Sequence, residues 1–169
     1  MTTATTTGPF IETRPAGEVF RAGVLAGIIG GALMAAFSMM YTAAVGAGFW
    51  TPLRLIGATF YGVDALVGGS GVLLWGMIVH FMSAIVLGVV FAAIAPRRLT
   101  AGPALFGGVI WGLVALVVMT FVVMPIVDRT MLPRVAMMPG MWVAAHVAFG
   151  IGVASAPALR RRFAVSGHA

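Results

Sequence analysis

The chain has no cysteine and no lysine, and only four acidic residues among its 169. The absence of cysteine rules out disulfides, thiolate metal sites and cysteine nucleophiles. Without lysine, the formal charge of +6 at pH 7 comes from arginine alone. Charged residues of any kind are scarce, 8% of the chain against 61% hydrophobic. A water-soluble domain of this length cannot clothe its surface with so little charge. Nucleic-acid binding is excluded too, because the arginines sit at the ends of apolar runs rather than on one face among aromatics.

In place of charge there are four uninterrupted runs, Ala22–Leu53, Ala65–Pro96, Leu99–Val127 and Val135–Leu159. A hydrocarbon core about 30 Å thick is crossed by about 20 apolar residues in a helix. The expected fold is therefore all-α, an integral membrane four-helix bundle with spans at about 20–47, 72–95, 103–127 and 139–159. A disordered cytoplasmic tail is expected over 1–19 and a basic cytoplasmic tail over 160–169. The Thr-rich N-terminus lacks the basic-then-apolar order of a secretory signal, so the first run is expected to be a retained span.

The arginines divide by side. Arg14, Arg21, Arg97, Arg98, Arg160, Arg161 and Arg162 fall on one face of the bilayer, and Arg54, Arg129 and Arg134 on the other. The positive-inside rule then places both termini in the cytoplasm. Arg97, Arg98, Arg160, Arg161 and Arg162 are expected to meet anionic lipid headgroups. Among the acids, none falls inside an expected span, and Asp64 and Asp128 are expected to pair at the surface with Arg54 and Arg129. An ion-driven pump would need a buried carboxylate.

Between spans one and two, the stretch Phe49–Gly71 is too apolar for an ordinary loop. Phe49, Trp50, Phe60 and Tyr61 suit the membrane–water interface. Pro52 can open a short helix lying flat there, with Leu53, Ile56 and Phe60 turned to lipid or to the bundle.

Small residues recur every fourth position. Gly23, Gly27 and Gly31 of span one match Ala104, Gly108 and Gly112 of span three. His80, Ala84, Gly88 and Ala92 of span two match His146, Gly150, Ala154 and Ala158 of span four. The pattern reads as a duplicated helical hairpin in parallel repeat. Such spacing lets backbones approach where lipid supplies no hydrophobic drive. Gly23, Gly27, Gly31, Gly88, Gly108, Gly112, Gly150 and Gly152 are the expected helix-packing positions, within the bundle or against another copy. Gly152 belongs to a second small-residue face, so span four is expected to pack on both sides.

His80 and His146 are the candidate proton or ligand site, at similar depth in their spans. One reading is that each imidazole bonds a hydroxyl or carbonyl and fixes packing, with Ser38, Thr42, Ser83 and Thr120 as candidate partners. A proton-responsive pair is another, and bis-imidazole haem ligation a third. The methionines, with Met137 and Met141 at ligand-like spacing, offer soft donors for Cu(I) but serve equally as adaptable filler. No metal site and no cofactor is expected over filler. His168 is expected to be solvated. A Ser-His-Asp set, a zinc-protease helix and a phosphate loop are all missing, so no enzyme is expected.

The segment WGMIVHFMSAIVLGVVFAAIAP followed by FGGVIWGLVALVVMTFVVMPIV resembles uncharacterised small four-span bacterial inner-membrane proteins. Trp75, His80, Phe81 and Gly88 carry the likeness in span two, Gly108, Gly112 and Pro125 in span three, and His146 with Gly150 in span four. The resemblance implies a bacterial inner-membrane location, and one branch of such proteins is associated with acid resistance. The expected function is non-enzymatic assembly, as a homo-oligomer or an accessory subunit of a membrane complex, with Gly27, Gly31, Gly108 and Gly112 as contacts. The alternatives are a small proton-linked transporter or channel using His80 and His146, and a haem- or copper-binding membrane protein.

Overall fold

The computed structural model describes residues 16–127 and 132–166. Every regular element among them is helical: α1 (Ala16–Ala44), α2 (Thr51–Tyr61), a short 3-10 turn (Val63–Val67), α3 (Ser70–Ile94), α4 (Ala101–Val118), a π turn (Met119–Val123) running into α5 (Met124–Val127), α6 (Leu132–Met137), α7 (Pro139–Val153) and α8 (Ala156–Ser166). Among the described residues, four helical stretches are long and apolar enough to cross a membrane: Ala16–Ala44, Ser70–Ile94, Ala101–Val127 and Pro139–Ala164.

Local chemistry sets the ends of these helices. Pro52 and Pro139 stand in the first turns of α2 and α7, where a missing N–H costs nothing. Past the end of α1, Gly46 takes a left-handed φ of 76° that a side chain would resist. The Ala47 N–H then folds back to Thr42 O at 2.8 Å, closing the helix.

The four long helices stand side by side in the order α3, α1, α7, α4, and glycine decides which faces meet. A methyl built on Gly27 would lie 2.5 Å from Ala84 O of α3, and one on Gly88 would lie 2.6 Å from Gly27 N. The second hairpin repeats this register, since Gly108 faces Gly150 O and Gly112 faces His146 O. The sequence match of Gly27 with Gly108, and of Ala84 with Gly150, is thus also a match of contacts. Between the hairpins Gly152 of α7 backs onto Gly30 of α1, where an added methyl would lie 2.5 Å from Gly30 N. Span four packs on both sides, against α4 through Gly150 and against α1 through Gly152.

Two boundaries differ from the sequence expectation. The first helix starts at Ala16, so residues 16–19 are not tail, and Glu18 is buried within it, 8% exposed. A carboxylate therefore does lie inside a helix of the bundle. At the other end, the turn at Ala154–Ser155 interrupts span four. Ser155 Oγ donates to Gly152 O at 2.7 Å, and the chain resumes as α8, so residues 160–166 are helical.

The two departures have one cause. Arg160 of α8 is 1% exposed and its Nε donates to Glu18 Oε1 at 3.3 Å. Its Nη1 donates to Ala92 O at 3.2 Å and Ala95 O at 2.8 Å, filling carbonyls that the end of α3 leaves open. Arg97 adds a second cation 3.7 Å from Glu18. Arg161 Nη1 donates to Arg97 O at 2.8 Å and to Leu99 O at 3.0 Å. Arg160 is thus not available to lipid headgroups. It clasps the start of α1, the end of α3 and α8 together at the end of the bundle that carries the arginines.

At the opposite end α2 lies against α3. Gly57 meets Val72 O and Gly76 meets Leu53 O, while Phe60 stands edge-on to Trp75 with centroids 5.8 Å apart. Leu53 is buried, Ile56 half-buried and Phe60 exposed, so the helix turns an apolar side inward. Asp128 and Arg129 lie outside the described residues, as does His168. Asp64 is exposed, and Arg54 Nε is buried without a hydrogen-bond partner among the described residues.

Candidate functional site: a two-histidine chamber

Spans two and three are joined by only Ala95–Thr100, yet α3 and α4 are not neighbours along most of their length. Near the arginine end they touch through Trp111, whose Nε1 donates to Leu87 O at 3.2 Å and whose ring lies 6.2 Å from that of Phe91. Beyond this bridge the two spans part, and the gap is a chamber of about 320 Å³. Val79, His80, Ser83 and Leu87 of α3 form one wall, and Met119, Val123, Met124 and Val127 of the third span the other. The back is Trp142, His146 and Phe149 of α7 with Met34 of α1, and Ile56, Thr59 and Phe60 of α2 close the top. Phe60 and Val127 are each more than half exposed and stand at the rim.

A kink in the third span shapes the far wall. At Met119–Val123 the helix adopts the wider π pattern, with the Met124 N–H reaching Met119 O. Pro125 follows and has no N–H to continue an α ladder, so the π turn takes up the irregularity. Thr120 within this turn has its hydroxyl oxygen buried with no hydrogen-bond partner among the described residues.

Both candidate histidines line the chamber. His80 Nε2–H donates across the helix interface to Gly31 O at 2.9 Å. His146, 4% exposed, donates from Nδ1–H to Trp142 O of its own helix at 2.8 Å. Both partners are backbone carbonyls, one of the two partner types that the packing reading allows, and the candidate hydroxyls of Ser38, Thr42, Ser83 and Thr120 are not among them. Ser38 and Thr42 instead donate back along α1, to Met34 O at 2.8 Å and Ser38 O at 3.0 Å, the usual recourse of a hydroxyl in an apolar helix.

A carbonyl can only accept, so each bond fixes a tautomer of the neutral ring. His80 keeps its proton on Nε2 and presents Nδ1 as a lone pair. His146 keeps its proton on Nδ1 and presents Nε2. Neither second nitrogen has a partner among the described residues, and neither has the Ser83 hydroxyl one helical turn from His80. Apart from Thr59 at the top, the rest of the lining is mostly apolar, with the rings of Trp142 and Phe149 and the thioethers of Met34, Met119 and Met124.

A second cavity of about 290 Å³ adjoins on the side of α2 and shares Met34, Ile56, His80 and Trp142 with the chamber. It extends past Ser38 and Thr42 to Ala47, Thr51 and Met138 near the far end of the bundle. His80 thus stands between the two.

Sequence reasoning picked out His80 and His146 but missed most of what surrounds them. Trp142 as a wall, the π turn and the Glu18–Arg160 clasp carry no spacing signal, whereas Ser83, a candidate partner of the histidines, does line the chamber beside His80. Only Pro125, inside an apolar run, hinted at irregularity in the third span. The packing glycines Gly30, Gly57 and Gly76 were missed because each meets a helix outside the paired series. Compared with family models, curated proteins and solved structures, the chain matches none.

Proposed function

We propose that this chain is a multi-pass protein of the bacterial inner membrane, with both termini cytoplasmic, that binds a small lipophilic molecule between spans two and three. The observation that carries the reading is the chamber itself, where apolar walls surround a few unpartnered polar atoms. Its volume of about 320 Å³ falls in the range of small-molecule sites, which are mostly apolar with a few orienting groups. Its rim residues Phe60 and Val127 face outward, so an occupant enters sideways from the bilayer rather than along the bundle axis.

The assembly reading loses its contact positions. Gly27, Gly31, Gly108 and Gly112 are each covered by a neighbouring helix of the same chain.

Native mass spectrometry of protein released from nanodiscs tests the proposal. Wild type retains a small-molecule adduct, and Ser83→Phe, which fills the chamber, loses it. Identical adduct-free spectra for both overturn the reading.

A proton-linked route is a second reading, favoured by the adjoining cavity that leads from the far end of the bundle to His80. In liposomes it requires a pH-dependent flux that His80→Ala and His146→Ala abolish. Wild-type flux in both variants removes it.

A further inference from the structure

The chamber shows an asymmetry of donors and acceptors. Gly31 O and Trp142 O use one N–H from each imidazole, so what His80 and His146 offer an occupant is lone pairs. The histidines stand on different helices, α3 and α7, and both border the same space. Ser83 adds a hydroxyl that is not engaged with α3 or with any other described residue. Trp142 and Phe149 supply flat aromatic surface beside His146, and its ring centroid lies 6.0 Å from that of Trp142.

We infer that the chamber takes an aromatic ring bearing two hydroxyl groups and an alkyl tail, a membrane-borne hydroquinone, and discriminates against the oxidised dicarbonyl form of the same ring. One hydroxyl donates to His80 Nδ1 and the other to His146 Nε2, while the ring lies among Trp142, Phe149 and Met34. The tail leaves past Phe60 and Val127 into lipid. A quinone brings only acceptors. The Ser83 hydroxyl can serve one carbonyl oxygen, but the imidazoles offer a carbonyl only lone pairs, and turning either tautomer would break the bond to Gly31 O or Trp142 O. A site built to hydrogen-bond a hydroxyl rejects the analogue that lacks it, because its own polar atoms are left unpaired. The selectivity concerns binding alone and implies no electron transfer.

The inference rests on the lipophilic-ligand reading above, and one experiment separates the two. Full-length protein in phosphatidylcholine nanodiscs is dialysed to equilibrium against empty nanodiscs, with decyl-benzohydroquinone under anaerobic reducing conditions or with the matching quinone. The hydroquinone is expected to bind about tenfold tighter than the quinone, the worth of one net hydrogen bond. In His146→Phe the preference falls toward unity. This ring bonds only within its own helix, so the variant keeps the bundle contacts. Equal or tighter quinone binding overturns the inference, as does a preference unchanged in His146→Phe. If neither ring binds while a chamber adduct persists by mass spectrometry, the hydroquinone class is wrong and the lipophilic-ligand reading stands. If the adduct is absent as well, both fall.

Discussion

Arg160 is the residue on which the arginine end depends. It is 1% exposed, faces a carboxylate that is itself buried and serves two carbonyls of another helix. Removing Arg160 leaves the buried Glu18 with only the half-buried Arg97 at 3.7 Å and opens two carbonyls, at a cost toward the lower end of the about 3–5 kcal/mol of a broken buried pair. Arg160→Met is expected to lower detergent-phase stability by that order, read by thermal or SDS unfolding. Glu18→Leu combined with Arg160→Met should recover part of the loss, because no buried charge remains and Arg97 is exposed enough to be solvated. At this scale the sequence was half legible. The histidines stood out because a polar ring inside an apolar run has no other disguise. Glu18 and Arg160 did not, since each sits next to an expected span end, where charge is ordinarily solvated.

For whole elements, glycine was the clearest signal and the structure uses it within one chain. Gly150 sits where a side chain would strike Gly108 O and lie 2.8 Å from Val109 Cα, backbone that cannot swing aside. Gly150→Val is expected to cost about 1–3 kcal/mol by overpacking, measured as a lowered unfolding midpoint in mild detergent. Gly107→Ala, one residue from that contact but with nothing within 4 Å, should leave the midpoint unchanged or raise it slightly. Spacing alone revealed that Gly27 and Gly108 are counterparts, because a four-residue repeat marks one helix face. It could not say what covers that face. The same repeat serves a neighbour in the chain or in another copy, and only the short loops and the register of α3 and α7 decide. The π turn was illegible for a different reason, since no composition distinguishes Met119–Val123 from regular helix.

Taken as a whole molecule, the chain is two glycine-locked hairpins joined along α1 and α7, with α3 and α4 on the outside and open to each other toward the far end. The number of long apolar helices among the described residues was readable from the placement of charge alone, because the uncharged runs set their extents. The open side was not, since it depends on which helices sit in the centre. Orientation can be checked directly, and the lack of native cysteine makes single-cysteine labelling clean. Gly69→Cys and Gly102→Cys both fall where nothing lies within 4 Å. With both termini cytoplasmic, an impermeant maleimide labels Gly69→Cys in intact cells and reaches Gly102→Cys only after permeabilisation. The reverse pattern inverts the assignment. A rim test follows as well. Phe60→Cys and Val127→Cys bridged by a short bis-maleimide should trap whatever occupies the chamber and slow its exchange, followed by mass spectrometry after washing. Exchange at the wild-type rate would place the route elsewhere.

The parting of α3 from α4 bears on how the protein should behave during purification. The ligand proposed for this gap would work as a keystone, since a molecule bound only to the folded state raises apparent stability in step with its concentration. Harsh extraction that rinses the gap clean should therefore yield a looser, shorter-lived preparation than gentle extraction of the same polypeptide. Adding back the right small molecule should restore its longevity.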